Sequence, residues 1–551
     1  MNVAVFAALA LAWLHPGGVS AQTTIVPPTS GALSQESLRQ QRQLEQQLKP
    51  RARPLATPDI SGPERSEDDI GDDTGPKFKL TAVTFSRSAF LSPPDLQAIA
   101  AKYTGREITF ADLQRILADV NALYGARGII TALATLPPQK IKGGVVKIKL
   151  TEGRHAAVNV IGATTLSDDY VLSRFPVTEG EIVDPDVLRE KVRHYNLRNS
   201  NQLRVLLKPG KSFGQTDLDI AVAEPPMNTL EVFFNNHGTV STGEYQRGFL
   251  FQRYGLFGFD DRLTIYGTNA RQTSNGNLSY NFPVGVEGHR AGFSLSRGDF
   301  AIVDGPFSIL DVAGVSDTVE LNYAHLLYVS DVRRLSATFS GQFGQSETEY
   351  SDVRVTDENF YQATAGFTFS HVDEAFYVSI SPDLVFVSHE NEIIRHGTDF
   401  MLFAGAASGV ADLPTGLRLT GDVSWQVTGS KLLPGSQLFQ IGGPTTVRGY
   451  PASGASGDSG YLVSAELHRH LDELREGLDL YAFVDHGAVY STFPEHTSVT
   501  SIGVGVNFEI TEFIGLDVNL AFPVEEVFPD QDDVQVYARV LFDPLAFPAT
   551  P

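Results

Sequence analysis

Between Ile441 and Tyr461 the sequence reads IGGPTTVRGYPASGASGDSGY, a long run of Gly, Ser, Thr and Pro that carries a single arginine, Arg448. Within it, Gly457-Asp458-Ser459-Gly460 resembles the nucleophile turn of a serine protease, and His468, His470 and His486 lie downstream. The context argues against catalysis. No strand-turn-helix frames the serine, and small polar tetrapeptides are common in Gly/Ser loops. Gly210-Lys211-Ser212 lacks the upstream glycine of a phosphate-binding loop, so no nucleotide hydrolysis is expected. The 13 histidines show no close metal-ligand pairing, and the absence of cysteine excludes thiolate metal sites and disulfides alike. No enzyme, metal site or cofactor is therefore expected, and Arg448 is the residue to explain.

The elements around Arg448 set its place. Its stretch is too polar and glycine-rich for a strand or helix interior, and loops of that length are commonly functional. On either side, apolar and polar residues alternate with period two. Leu417, Leu419, Val423, Trp425 and Val427 interleave with Arg418, Thr420, Asp422, Ser424 and Gln426. Ile502, Val504, Val506, Phe508 and Ile510 do the same, as do Leu516, Val518, Leu520 and Phe522. From Leu230 to Phe542 no helical period intervenes. One apolar and one polar face suits a lipid-facing, water-lined barrel, because only helices and closed barrels satisfy their backbone hydrogen bonds in a bilayer. A soluble sandwich also alternates, but the size of the all-β region and its charged, Gly-rich polar face disfavour it. Roughly 320 residues at about 20 per strand and turn predict about sixteen strands.

Composition agrees. In 551 residues, 50 Gly, 35 Phe and 18 Tyr against 2 Trp suit aromatic-bearing strands and tight turns. After the N-terminus no apolar run is long enough for a membrane helix. A formal charge of -23 disfavours nonspecific nucleic-acid binding, since nothing would neutralise phosphates.

Ahead of the barrel the chain is modular. Residues 1–21 read as a secretory signal peptide, with an apolar core from Val3 to Leu14 and cleavage after Ala21, although no Lys or Arg precedes that core. Ser34 to Lys49 predicts a helix, N-capped by Ser34 or Ser37 and stopped by Pro50, whose apolar residues are only Leu38, Leu44 and Leu48. Such a helix needs a wet or polar environment. Residues 50–76, rich in Pro and acid, read as a flexible linker. Then a β-α-α-β-β order appears twice. In the first unit, 77–153, strands are expected at Phe78–Phe85, Ile129–Leu136 and Val145–Leu150, with Leu113, Ile116, Leu117, Val120 and Leu123 on one helix face. The second unit, 154–224, repeats it. Each leaves a sheet edge that an extended peptide could join.

In this order the residues resemble the two-partner secretion transporters (TpsB type) of the Omp85 superfamily. The resemblance rests on Tyr124-Gly125-Ala126-Arg127-Gly128-Ile129, Leu136-Pro137-Pro138-Gln139 and Glu152-Gly153 in the first unit. In the second it rests on Leu207-Lys208-Pro209-Gly210, Gly214 and Thr216-Asp217-Leu218. At the barrel start it rests on Asn235-Asn236-His237-Gly238, Thr242-Gly243 with Arg247, and Tyr254-Gly255-Leu256-Phe257-Gly258. Its most specific motif is Val447-Arg448-Gly449-Tyr450, between expected strands eleven and twelve.

The resemblance implies a transmembrane antiparallel β-barrel over 227–543, preceded by two POTRA domains, 77–153 and 154–224, and a plug helix, 34–49. The loop 441–461 would fold into the lumen, where Arg448 meets Asp485 of a later motif, Phe483-Val484-Asp485-His486-Gly487. The strand pattern agrees. Leu478, Leu480, Ala482 and Val484 share one parity, so Asp479, Tyr481, Phe483 and Asp485 face inward. A guanidinium in a confined interior needs a carboxylate, and the two planar groups pair bidentately.

The implied function is an outer-membrane pore, its N-terminal domains in the periplasm, that recognises a secreted, TpsA-like partner as an extended chain and passes it outward. A monomer embedded in outer-membrane lipid is expected. The alternative within the superfamily is an insertase of outer-membrane barrels, which usually carries three to five POTRA units and no plug helix. A passive solute porin would leave both β-α-α-β-β units unexplained. Asp543 to Pro551 continue past the terminal aromatic on which such chains usually end.

Overall fold

The computed structural model describes residues 30–48, 60–61, 76–305, 307–492, 495–528 and 531–546. The expected signal peptide, residues 1–21, and most of the expected linker, residues 50–76, lie outside the described residues, as do Lys49 and residues 547–551.

In the first small unit, Val145–Glu152 is the central strand, parallel to Ala82–Phe85 and antiparallel to Ala132–Thr135. Helices Pro93–Ala101 and Phe110–Ala126 start at capping boxes, Ser92 with Asp95 and Thr109 with Asp112. The longer helix turns Leu113, Ile116, Val120 and Tyr124 into a core with Val146 and Ile148. It ends in a tight turn in which the Ile129 N–H donates to the Tyr124 carbonyl at 2.9 Å. This turn consumes Ile129, so the strand expected from Ile129 begins at Ala132. The strand expected over Phe78–Phe85 is also divided. Phe78–Lys79 pairs with Glu107–Ile108, and only Ala82–Phe85 joins the sheet, because Leu80 turns fully into the core.

The second unit repeats the order with strands Arg154–Ile161, Gln202–Pro209 and Gln215–Ala223 and helices Asp168–Arg174 and Pro185–Arg198. The repeat extends to one polar anchor. Glu152 accepts from Ser88 Oγ at 2.6 Å, the Ala89 N–H at 3.0 Å and Tyr124 OH at 3.1 Å. Glu224, also at the end of its unit, accepts from Thr164 Oγ1 at 2.6 Å and from the N–H groups of Thr165 and Leu166, each at 3.0 Å. Each carboxylate ties the loop after its unit's first strand to the end of the last. Burial would raise the Glu224 pKa, but the hydrogen bonds from Thr164, Leu166 and Thr165 outweigh it and hold the group below the ordinary glutamate value. Burial pushes the Tyr124 phenol up to about 12. One sheet edge is not free: Ile60–Ser61 lies parallel to Gln202–Pro209, Ile60 opposite Val205 and Ser61 opposite Leu206.

Sixteen antiparallel strands then close a barrel, from Asn228–Asn235 to Gln535–Phe542, which pair across the seam from Val232 opposite Phe542 to Asn235 opposite Arg539. The described helices include none long and apolar enough to cross a membrane. The turn Gly255–Asp261 seats the second unit on the barrel. Asp260 accepts from the Ser200 N–H at 2.9 Å and pairs with Arg290 at 3.1 Å, and Arg193 pairs with Asp331 at 2.7 Å.

The polar helix lies inside the barrel and runs from Ser30 to Leu48, so Ser34 and Ser37, expected as caps, sit within it. It has two apolar anchors. Leu44 packs on Phe233, Leu250 and Tyr266, whereas Leu33, which the shorter expected helix omitted, packs on Phe300, Ile302 and Val312. The leucines are eleven residues apart, about three turns, so they share a face.

Glu152→Ala should remove the acceptor of the Ala89 N–H and leave the Tyr124 hydroxyl with Ser88 Oγ alone, a loss of about 1 kcal/mol. Hydrogen exchange in residues 86–92 should accelerate while the equivalent loop around Glu224 stays protected; equal exchange in both proteins would contradict the anchoring role.

Candidate lumen lock

The loop joining the eleventh strand, Leu417–Val427, to the twelfth, Ser459–His470, spans Thr428–Asp458. It therefore starts earlier than the expected 441–461 and ends before Ser459, whose stretch to Tyr461 belongs to the barrel wall. A small hairpin, Phe439–Ile441 against Ala455–Gly457, stiffens it and carries the tip.

At the tip, the structure brings Arg448 to the inward face of the twelfth strand and the thirteenth, Leu478–Tyr490. Along the thirteenth, Asp479, Tyr481, Phe483 and Asp485 are buried, while Leu480, Ala482 and Val484 face out. Ser464 stands opposite Asp485, and Glu466 opposite Phe483, so four inward side chains form one patch. Arg448 uses every part of its guanidinium on that patch. Nε donates to Asp485 Oδ2 at 2.7 Å and Nη2 to Oδ1 at 2.9 Å, a bidentate fork. Nη1 lies 2.7 Å from Glu466 Oε1. The guanidinium carbon sits 3.4 Å from the centre of the Phe483 ring, in cation–π geometry. Asp485 is fully buried, and it also accepts from Ser464 Oγ at 2.7 Å and from the Arg448 backbone N–H at 3.2 Å.

The other signature residues hold the tip's shape. Gly449 has φ +89°, a conformation that side chains disfavour, and its N–H donates to Tyr537 OH at 3.1 Å. Tyr450 is buried and donates to the Thr500 carbonyl at 2.7 Å. Val447 is buried against the wall at Gly487, where a Cβ would lie 3.0 Å from Ile441 Cγ2 and 3.1 Å from Val447 Cγ2. Gly487 thus provides the close approach that lets the tip reach Asp485.

Sequence reasoning passed over Ser464, Glu466 and Tyr537, and read His468 only as a protease decoy. In the twelfth strand Ser464, Glu466 and His468 share the inward parity, a signal as legible as that of Asp485. His468 Nε2 lies 3.0 Å from Glu466 Oε2 and Nδ1 2.7 Å from Asp479 Oδ2. Both nitrogens face oxygens that only accept, which is the geometry of an imidazolium. Among the described residues no group of three or more His, Asp or Glu could hold a metal.

The same loop supports the helix in the lumen. Glu36 Oε1 accepts from Thr445 Oγ1 at 2.6 Å, Arg39 donates to Gln440 Oε1 at 2.9 Å and Gln43 to the Thr445 carbonyl at 3.2 Å. Gln35 donates to the Ser436 carbonyl. On the wall, Gln41 meets Asn277 at 3.2 Å and Gln47 accepts from Arg539 at 2.6 Å.

Comparison with known proteins decides the family. Residues 214–508, more than half of the chain, match the family described as haemolysin secretion/activation protein ShlB/FhaC/HecB. The chain belongs to this family. Residues 78–153 match the ShlB-type POTRA domain. The protein described as heme/hemopexin transporter protein HuxB of Haemophilus influenzae is 24% identical over 542 residues, covering 93% of this chain and 94% of its own. Outer membrane transporter CdiB of Dickeya dadantii is 22% identical over 473 residues, covering 82% and 83%. In fold, CdiB from Escherichia coli superposes with a TM-score of 0.60 at 19% identity, covering 95% of this chain and all of that one. BamA from Haemophilus ducreyi lacking POTRA domains 1–3 gives 0.52 at 12% identity, covering 85% of this chain and 100% of that one. This family member is an outer-membrane protein transporter of the two-partner secretion type.

Arg448→Ala would strand Asp485 in a buried site, a loss of about 3–5 kcal/mol. Hydrogen exchange of residues 442–454 in the inserted barrel should accelerate strongly. Arg448→Lys keeps the charge but not the fork, so its exchange should be intermediate; a lysine variant indistinguishable from the parent would contradict the role of the fork.

Proposed function

We propose that this transporter captures one secreted, TpsA-like partner in the periplasm, threads it outward as an extended chain through the barrel, and rests plugged by the helix Ser30–Leu48. The carrying observation is the way that helix is held: two leucines and a set of side-chain hydrogen bonds, within a lumen that can replace those bonds with water. A helix bound by such exchangeable contacts can leave and return. Residues 154–224 act as a second POTRA domain, a reading supported by the shared β-α-α-β-β order and by the matching roles of Glu152 and Glu224. Because Ile60–Ser61 already occupies one edge of that unit, capture begins at a free edge or displaces this segment.

In this reading Val447, Arg448, Gly449 and Tyr450, with Phe483, Asp485 and Gly487, act by holding the loop against one wall, leaving the rest of the lumen for the helix or the partner. The protein performs no catalysis and uses no cofactor; folding of the partner outside drives export. It works as a monomer in outer-membrane lipid and binds no nucleic acid. Its likeness to BamA is one of fold, and the lumen helix favours a pore over an insertase.

Deleting residues 22–50 should raise single-channel conductance in planar bilayers. Arg448→Ala should abolish or strongly reduce export while the barrel still inserts. Unchanged conductance would overturn the plug, and wild-type export by the arginine variant would overturn the role given to the loop.

A further inference from the structure

The tetrapeptide Gly457–Gly460 is the one conspicuous motif that the lock at Arg448 does not use. It forms the neck of the loop, and its aspartate is built for a definite task. Asp458 is buried, and its two oxygens divide between adjacent backbone donors: Oδ1 accepts from the Leu433 N–H at 2.8 Å and Oδ2 from the Leu432 N–H at 3.2 Å. Leu432 has φ +60°, the left-handed conformation that crowds a Cβ, and its side chain is 79% exposed. No packing of that side chain offsets the unfavourable turn. The Asp458 carboxylate accepts from both N–H groups of that turn.

The turn sends the next side chain inward. Leu433 is buried among Phe360, Val385, Val387, Phe400 and Leu402, from the eighth (Val353–Val372), ninth (Phe376–Asn391) and tenth (His396–Asp412) barrel strands. This apolar slot breaks the polar pattern of the lumen face, and Leu433 fills it. The neck is stitched at the same level. The Ser459 hydroxyl accepts from the Thr428 N–H at 3.0 Å, and Gln426 Nε2 donates to the Asp458 carbonyl at 3.0 Å and to the Gln437 carbonyl at 2.8 Å. None of these groups belongs to the patch around Arg448, which lies on the twelfth and thirteenth strands.

We propose that Asp458 is a positioning residue forming a second, independent pin of the lumen loop: by holding Leu432 in its left-handed turn it seats Leu433 in the apolar slot, so the neck stays on the wall when the tip leaves Asp485. This deepens the reading of the loop as a positioned part of the export pore, and rests on it. The tip can then move without the whole loop swinging into the path of the partner. The serine-protease resemblance of the tetrapeptide reflects the needs of this neck: Asp458 clamps, Ser459 ties Thr428, and Gly460 leaves room for Phe439, whose ring carbon would lie 2.5 Å from a Cβ there.

The 551 residues contain no cysteine, so Leu433→Cys makes a single reporter of the slot. Its reaction with a water-soluble maleimide should be slow in the inserted barrel. Asp458→Ala should accelerate it by about tenfold or more, and Asp458→Asn, which keeps one acceptor, by less. Adding Leu432→Gly to Asp458→Ala should restore slow labelling, because glycine adopts the left-handed turn without a clamp. Arg448→Ala should leave the rate within about twofold. Labelling unchanged by Asp458→Ala, no rescue by Leu432→Gly, or equal exposure in Arg448→Ala would overturn the second pin. Labelling needs no partner, so it tests the pin itself. Export by the Asp458→Ala variant and its Leu432→Gly rescue, measured in the chain that retains Leu433, tests the reading on which the proposal rests.

Discussion

A guanidinium inside a protein wall is stable only if its charge is answered at contact distance. Arg448 meets that demand with Asp485 and Glu466, and by lying on the Phe483 ring. Since Asp485 is fully buried, withdrawing the arginine leaves an uncompensated carboxylate. Pairing with Arg448 therefore fixes the tip against the wall.

Several other features follow from that single contact. The wall must come close enough for the pair to form, hence Gly487, and the tip must turn sharply, hence Gly449. The hairpin Phe439–Ile441 with Ala455–Gly457 delivers the tip at the right height. The loop so fixed becomes one side of the cradle for the helix, whose Glu36, Arg39 and Gln43 bond to it while Leu33 and Leu44 rest on the barrel wall. The helix is thus stable in place through many weak contacts, and the loop through a few strong ones.

Much of this was legible in the sequence, for physical reasons that differ from part to part. Period-two alternation fixes which side chains face inward, so Asp485 could be placed opposite the lipid face from Leu478 to Gly487 alone. The same rule applied to Ser464, Glu466 and His468 would have completed the patch around Arg448. Other features depend on contacts between segments far apart in the chain. The helix extends back to Ser30 because Leu33 finds Phe300 and Ile302, which no local pattern announces. Leu433 finds an apolar slot where alternation predicts a polar lumen. The strand expected at Ile129 is displaced by a helix-ending turn, and Ile60–Ser61 pairs with a sheet edge that its Pro-rich, acidic surroundings gave no reason to expect.

In the proposed export cycle the loop is a fixed support from which the lumen helix separates. Gly31 of the helix abuts Ser436 of the loop, where a Cβ on Gly31 would fall 2.4 Å from Ser436 Cβ, so helix and loop must part by about 1.4 Å for cysteines at both positions to reach the roughly 3.8 Å Cβ spacing of a disulfide. Export of the partner by the Gly31→Cys/Ser436→Cys chain should stop under oxidising conditions and resume on reduction, with each single variant exporting under both. Undiminished export by the fully cross-linked chain would show that the partner passes without the helix leaving the loop.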